Sequence, residues 1–187
     1  MGDTLDGRTE FKRQLLKALP SLRAFAISLC GSHDRADDLT QECVMKAWSK
    51  QETFDLETNM KAWLFTILRN EFYSQMRKRG REIQDSDGVF TEQLAVHPSQ
   101  YGALDLGDFK TALDKLPDDQ KEAIILVCAS GFSYEEAADI CGCAIGTIKS
   151  RINRARNRLQ ELLTISGEAD FGPDAEMSAV LRHSISA

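Results

Sequence analysis

Residues 133–158 read SYEEAADICGCAIGTIKSRINRARNR, and this stretch decides the fold. Ser133 followed by Glu136 is a Ser-x-x-Glu capping box, in which serine oxygen and glutamate carboxylate each take a backbone N–H that a new helix leaves unpaired. The helix so opened covers Glu135 to about Cys141, and Gly142 stops it. A second helix begins near Ala144 and runs to about Leu163. Ala138 is small where the two helices must cross closely. Ile148, Ile152, Ala155 and Leu159 recur at helical spacing and turn one side of the second helix to a core. The remaining surface presents Thr147, Lys149, Ser150, Arg151, Asn153, Arg154 and Arg158, and no acid interrupts Lys149 to Arg158. Capped helix, glycine turn and basic second helix make a helix-turn-helix. Such a helix, laid in the major groove, reads base edges near its N-terminus and holds phosphates elsewhere. The plain alternative is a solvated basic face on a helical bundle; the cap, the small residue and the turn weigh against it.

The residues before this motif also read as helix. Phe109, Ala112, Leu113 and Leu116 open the second block, Pro117 stands at a helix start, and Ala123, Ile124, Leu126 and Val127 supply a core face ended by Gly131. In the first block Phe11, Leu15, Leu19, Leu22, Phe25, Ala26 and Leu29 recur every three or four residues. Pro20 predicts two helices or a kink there, and Gly31 a left-handed stop. A second helix is expected from Asp34 to Trp48, with Ala36, Leu39, Cys43, Ala47 and Trp48 inward. A third is expected from Asn59 to about Arg79, burying Trp63, Leu64, Ile67, Leu68, Phe72 and Met76. Period-two alternation is absent. The expected fold is all-α, with two small helical domains at residues 10–83 and 109–163, a flexible acidic linker at 84–108 and an acidic tail at 164–187. In the tail, Met177, Val180, Leu181 and Ile185 would suit a short amphipathic segment.

The chain has 187 residues and a formal net charge of −6. Taken whole, that sum argues against a nucleic-acid binder, which needs local positive charge. Its distribution reverses the inference. Residues 1–83 are net +2, residues 84–108 net −5, residues 109–162 neutral and residues 163–187 net −3. The acid lies in linker and tail, while Arg77, Lys78, Arg79 and Arg81 cluster at the end of the third expected helix. No run of about 18 apolar residues exists, so no membrane span is expected. Met1 to Glu10 lacks the basic-then-apolar layout of a signal peptide. Cys30, Cys43, Cys128, Cys141 and Cys143 read as reduced, small apolar residues. The one close pair, Cys141 and Cys143, lacks two further ligands at zinc spacing, and His33, His97 and His183 are scattered. No metal, cofactor or small-molecule substrate is expected, and no nucleophile–base–acid cluster suggests an enzyme.

LPDDQ at 116–120, GFSYEEAA at 131–138 and GTIKSRINRAR at 146–156 together resemble region 4 of bacterial sigma factors of the extracytoplasmic-function type. DRADDLTQECVMKAW at 34–48 resembles region 2.2, and KAWLFTILRN at 61–70 resembles regions 2.3 and 2.4. These motifs stand in the family's order over about residues 10–163. AFAISLCGSH at 24–33 and FYSQMRKRGR at 72–81 are similar to the alphaproteobacterial general-stress group, the EcfG group.

The resemblance implies a cytoplasmic protein that binds core RNA polymerase and promoter DNA and is restrained by an anti-sigma factor. It implies that Lys149, Ser150, Arg151 and Arg154 read the −35 element, with Thr147, Asn153 and Arg158 on the same face. Asn70 and the loop Phe54–Asn59 would hold a flipped −10 base, since duplex bases hide their edges. Arg77, Lys78, Arg79 and Arg81 would lie near phosphates. Trp63 is either a core residue or a −10 contact. Asp37, Asp38, Gln41 and Glu42 either meet polymerase or form a solvated helix face. The linker, with Asp85, Asp87, Glu92, Asp105 and Asp108, either threads the polymerase RNA-exit channel or acts as a tether. Two rival functions remain open: a helix-turn-helix regulator acting without polymerase, which leaves residues 34–81 unused, and a sigma mimic that titrates an anti-sigma factor.

Overall fold

A computed structural model describes residues 3–85 and 103–163. Seven α-helices carry them: α1 Asp3–Cys30, α2 His33–Ser49, α3 Met60–Asp85, α4 Ala103–Asp114, α5 Asp118–Ile124, α6 Tyr134–Cys141 and α7 Ile145–Leu162. No strand occurs among the described residues. The acidic residues Asp87 and Glu92 and the tail's Met177, Val180, Leu181 and Ile185 lie outside them. The helices reach into both ends of the stretch expected as linker, with Asp85 closing α3 and Asp105 and Asp108 inside α4.

α1, α2 and α3 form the first unit, each packed on the other two. α1 runs unbroken through Pro20. Ala18, Leu22, Phe25 and Ala26 are buried on both sides of the proline, and that burial outweighs one missing N–H bond. Gly31 takes φ of 66° and turns the chain, as a residue without Cβ does cheaply. α2 buries Ala36, Leu39, Thr40, Cys43 and Ala47. Thr40 returns its hydroxyl to the Ala36 carbonyl at 2.6 Å, which lets a polar residue sit inside. α3 differs from its expected outline. It runs six residues further, its Met76 is exposed, and Phe65 is fully buried instead.

The second unit is α4 to α7, with α7 against α4, α5 and α6. Pro117 caps α5 with φ of −55° and ψ of 142°. α5 widens into one π turn at Ile125–Ala129, whose Ser130 N–H reaches the Ile125 carbonyl at 2.8 Å. Such single π turns often sit at working surfaces. Gly131 then takes φ of 74°. α6 also lies along α3, so the two units meet. No described helix is long and apolar enough to cross a membrane.

Candidate nucleic-acid interface

The capping box forms reciprocally. Ser133 Oγ accepts from the Glu136 N–H at 3.1 Å, and Glu136 Oε2 accepts from the Ser133 N–H at 2.9 Å. Gly142 ends α6 at φ 63° and ψ 41°, and the turn delivers α7. Ile148, Ile152, Ala155 and Leu159 are all buried. Burying such a stripe fixes the rotation of α7 about its own axis, and so fixes which side chains face water.

That outward set matches the expected one except in detail. Lys149, Ser150, Asn153, Arg154 and Arg158 are exposed and Thr147 half-buried. Arg154 folds back on Ser150, donating to its carbonyl and its Oγ at 3.3 Å each. These exposed contacts are weak enough to be exchanged for a phosphate or a guanine edge. Arg158 pairs with Glu161 at 2.9 Å. Arg151 is placed differently: its Nε donates to Asp119 Oδ2 at 3.0 Å and the side chain is half-buried. The guanidinium therefore ties α7 to the start of α5. Lys149 Nζ stands 5.8 Å from the Tyr134 ring centre.

In the first unit, Asn70 is exposed on α3. Trp63 lies tilted against Phe54 at 4.6 Å between ring centres and meets Phe11 edge-on at 6.2 Å. The tryptophan thus sits in an aromatic group that joins α1, α3 and the loop before α3. That loop is held locally, by the Glu57 N–H on Asp55 Oδ1 at 2.9 Å and by Thr58 Oγ1 on the Asp55 carbonyl at 2.7 Å. Arg77, Lys78, Arg79 and Arg81 are exposed on the last turns of α3, and Arg81 Nε donates to the Arg77 carbonyl at 3.4 Å.

On α2, Asp38 and Gln41 are exposed, and Met45 and Trp48 continue their row at 68% and 42% exposure. The spacing of 38, 41, 45 and 48 is one helical face. Sequence reading missed Met45 and put Trp48 inward. Asp37 turns instead to α1, where Arg23 grips it through two bonds of 2.6 and 3.1 Å. That hydrogen bonding holds the Asp37 carboxyl below its ordinary pKa. Glu42 points to Lys46, whose ammonium also pairs with Glu71 of α3. The Lys46 hydrogen bond keeps the Glu71 carboxyl below its usual range against the opposing effect of burial.

The cysteines are free. Burial pushes Cys43 and Cys141 up to about 12, so neither is a thiolate near neutral pH. Among the described residues no three His, Cys, Asp or Glu side chains converge as a metal site would need.

Residues 15–82 match sigma-70 region 2, and residues 106–159 match sigma-70 region 4. The chain is 58% identical over 167 residues to the ECF RNA polymerase sigma factor EcfG of Rhodopseudomonas palustris, covering 89% of this chain and 92% of that one. Among solved structures it is similar to the sigma factor RpoE of Bartonella quintana, in complex with the anti-sigma factor NepR. That match has a TM-score of 0.76 and 71% identity, and covers 84% of this chain and 98% of that one. CnrH in complex with the cytosolic domain of CnrY matches at a TM-score of 0.61 and 26% identity, over 84% and 89% of the two chains.

Proposed function

The chain belongs to the extracytoplasmic-function sigma factors of bacterial RNA polymerase, the transcription initiation factors with paired sigma-70 regions 2 and 4, and from that membership we propose how its surfaces divide the work. The domain plan is residues 10–83 for region 2, 84–108 for the acidic linker, 109–163 for region 4 and 164–187 for the tail. Core polymerase docks on the outer face of α2, through Asp38, Gln41, Met45 and Trp48, with Asp37 and Glu42 at its edge. An exposed aromatic and a methionine framed by polar residues suit a protein partner.

The −35 element meets α7. Lys149, Ser150 and Arg154 reach base edges, Asn153 and Thr147 flank them, and Arg158 holds phosphate. Arg151 positions α7 through Asp119 and takes part in binding chiefly in that way. The −10 element meets Asn70 and the loop Phe54–Asn59, with Arg77, Lys78, Arg79 and Arg81 along the displaced strand. Trp63 supports that loop from within the aromatic group. The protein carries no catalytic step of its own; polymerase supplies the chemistry, and this subunit supplies the address. It works in the cytoplasm, where polymerase is. The match to a sigma factor solved with NepR supports restraint by an anti-sigma factor of that type and service to general-stress genes.

The observation that carries this reading is α7, a basic helix presented outward from a capped turn in a chain whose other half matches region 2. Run-off transcription with core polymerase on a stress promoter tests it. Wild type is expected to initiate, and Arg154→Ala and Asn70→Ala to lose most of that initiation. A protein that shifts duplex DNA without core and never supports initiation would overturn the reading.

A further inference from the structure

The second unit keeps an apolar groove that its own described helices do not fill. The groove has a volume of about 570 Å³ and lies between α4, the π turn that ends α5, and α7. α4 lines it with Phe109 and Leu113, the π turn with Ile125 and Cys128, and α7 with Leu159. Phe109 is 40% exposed and Cys128 is exposed, so a large ring and a thiol face water side by side. Covering that apolar surface would recover free energy in proportion to its area. The groove also has a charged rim. Arg156 stands there exposed, and no carboxylate pairs with it among the described residues. A wet aromatic, an apolar trough and a lone guanidinium suit an amphipathic helix with acids beside its apolar face.

The chain itself carries such a segment and delivers it to the groove. Leu159 and Gln160 line the groove, α7 ends at Leu162, and residues 164–187 follow outside the described structure. In that stretch Met177, Val180, Leu181 and Ile185 stand at i, i+3, i+4 and i+8, the spacing of one helical face. Glu168, Asp170, Asp174 and Glu176 precede them, the charge that Arg156 lacks. Gly167, Gly172 and Pro173 are residues that turn a chain back on itself. Residues 164–176, drawn out fully, span about 45 Å. α7 is about 27 Å long, so the apolar face reaches any part of the groove.

The tether favours this occupant over a second copy. A short connection holds its segment at an effective concentration on the order of 1 mM. A segment binding with Kd of about 0.1–0.2 mM would then fill the groove roughly 80–90% of the time. A second copy of the chain, at about 1 μM and the same affinity, would fill about 1%.

We propose that residues 177–185 dock their apolar face in the groove between α4, the π turn and α7, with the preceding acids near Arg156, so that the chain's own tail is a ligand of region 4. This goes beyond the division of surfaces proposed above and leaves it intact, since none of Lys149, Ser150, Asn153 and Arg154 lines the groove. A protein helix that takes the same groove must first displace the tail, and its apparent affinity falls by the fraction of molecules in which the groove is open.

Cys128 reports on the groove, being both exposed and part of its lining. Alkylation of each cysteine by iodoacetamide is followed by mass spectrometry at micromolar protein. The samples are full-length wild type and a full-length variant carrying Val180→Asp and Leu181→Asp together. Cys128 is expected to react about fivefold to tenfold more slowly in wild type, the inverse of the open fraction. Cys30, which does not line the groove, should react at one rate in both and so shows that the fold is unchanged. Phe109→Ser, made on the groove side with the tail intact, should also release Cys128. A labelled peptide of residues 168–187 should bind the tail variant and be excluded from wild type. Equal Cys128 rates in wild type and tail variant would overturn the proposal and leave the groove to a separate protein. Protection that is lost on tenfold dilution would overturn it in favour of a second copy.

Discussion

α7 and α3 both carry rows of basic side chains, yet one row is displayed and the other is partly covered. On α7, Lys149, Asn153 and Arg154 face water in the folded chain as it stands. On α3, Lys61 and Arg69 are occupied by the Ser130 carbonyl and by Glu122. The difference follows from how each helix is seated. α7 has one apolar stripe, so its opposite side is free by construction. α3 lies between two partners, and its second side meets region 4. A displayed row and a covered row thus coexist in one small protein.

The comparison can be broken most forcibly by removing the seat of α7. Ile148→Ala deletes a fully buried side chain and should cost the second unit about 2–5 kcal/mol. Calorimetry should then show two transitions, with region 4 melting first and α1–α3 near its original temperature. One shared transition would mean that the contact along α3 makes both units a single cooperative body. Next in size, Arg154→Ala should weaken promoter-specific initiation about tenfold to a hundredfold, the effect of one base contact worth about 1–3 kcal/mol. Core affinity should stay at the wild-type value, because the face of α2 proposed to meet core is untouched.

Gly142→Ala sharpens the question of aim. No neighbour lies within 4 Å of an added Cβ, so the cost is that of a left-handed backbone alone, about 1–2 kcal/mol. Gly142→Asn should lose less, since asparagine tolerates that conformation; equal losses in chemical denaturation would point to crowding instead. The smallest effect belongs to the support beneath α3. Glu71→Gln should lower stability by about 1 kcal/mol at neutral pH, as a hydrogen-bonded charge is lost. Because the Glu71 carboxyl is held below its ordinary value of 4.5, its contribution is present above that value and lost as pH falls through the lower folded one. The variant's melting temperature should therefore fall less steeply than wild type's between about pH 5 and pH 3.

Much of this was legible in advance where the cause is local. The capping box at Ser133 and Glu136, the left-handed stops at Gly31 and Gly142 and the buried stripe of α7 each depend on residues within a turn or two. Errors arose where a residue's neighbour is distant in sequence. Met76 fits the apolar period of α3 but stays exposed, its sulfur 4.0 Å from the Arg35 guanidinium of α2 and not in the apolar core. Phe65 lies off the main stripe and is nevertheless fully buried, stacked on Phe25 at 4.7 Å and met by Phe132 from region 4. The pairing of Arg151 with Asp119, thirty-two residues away, which ties α7 to α5, was likewise invisible in the local pattern.

The sequence by itself determined the helices, their caps and the family, because those depend on short-range spacing and on motifs in a set order. The tertiary structure alone decided which charges are available. Arg69 and Glu122 are fifty-three residues apart and unremarked in any local pattern, yet the fold buries them together. Availability is a property of desolvation and partner geometry, and both are set by surfaces that meet only after the chain has folded.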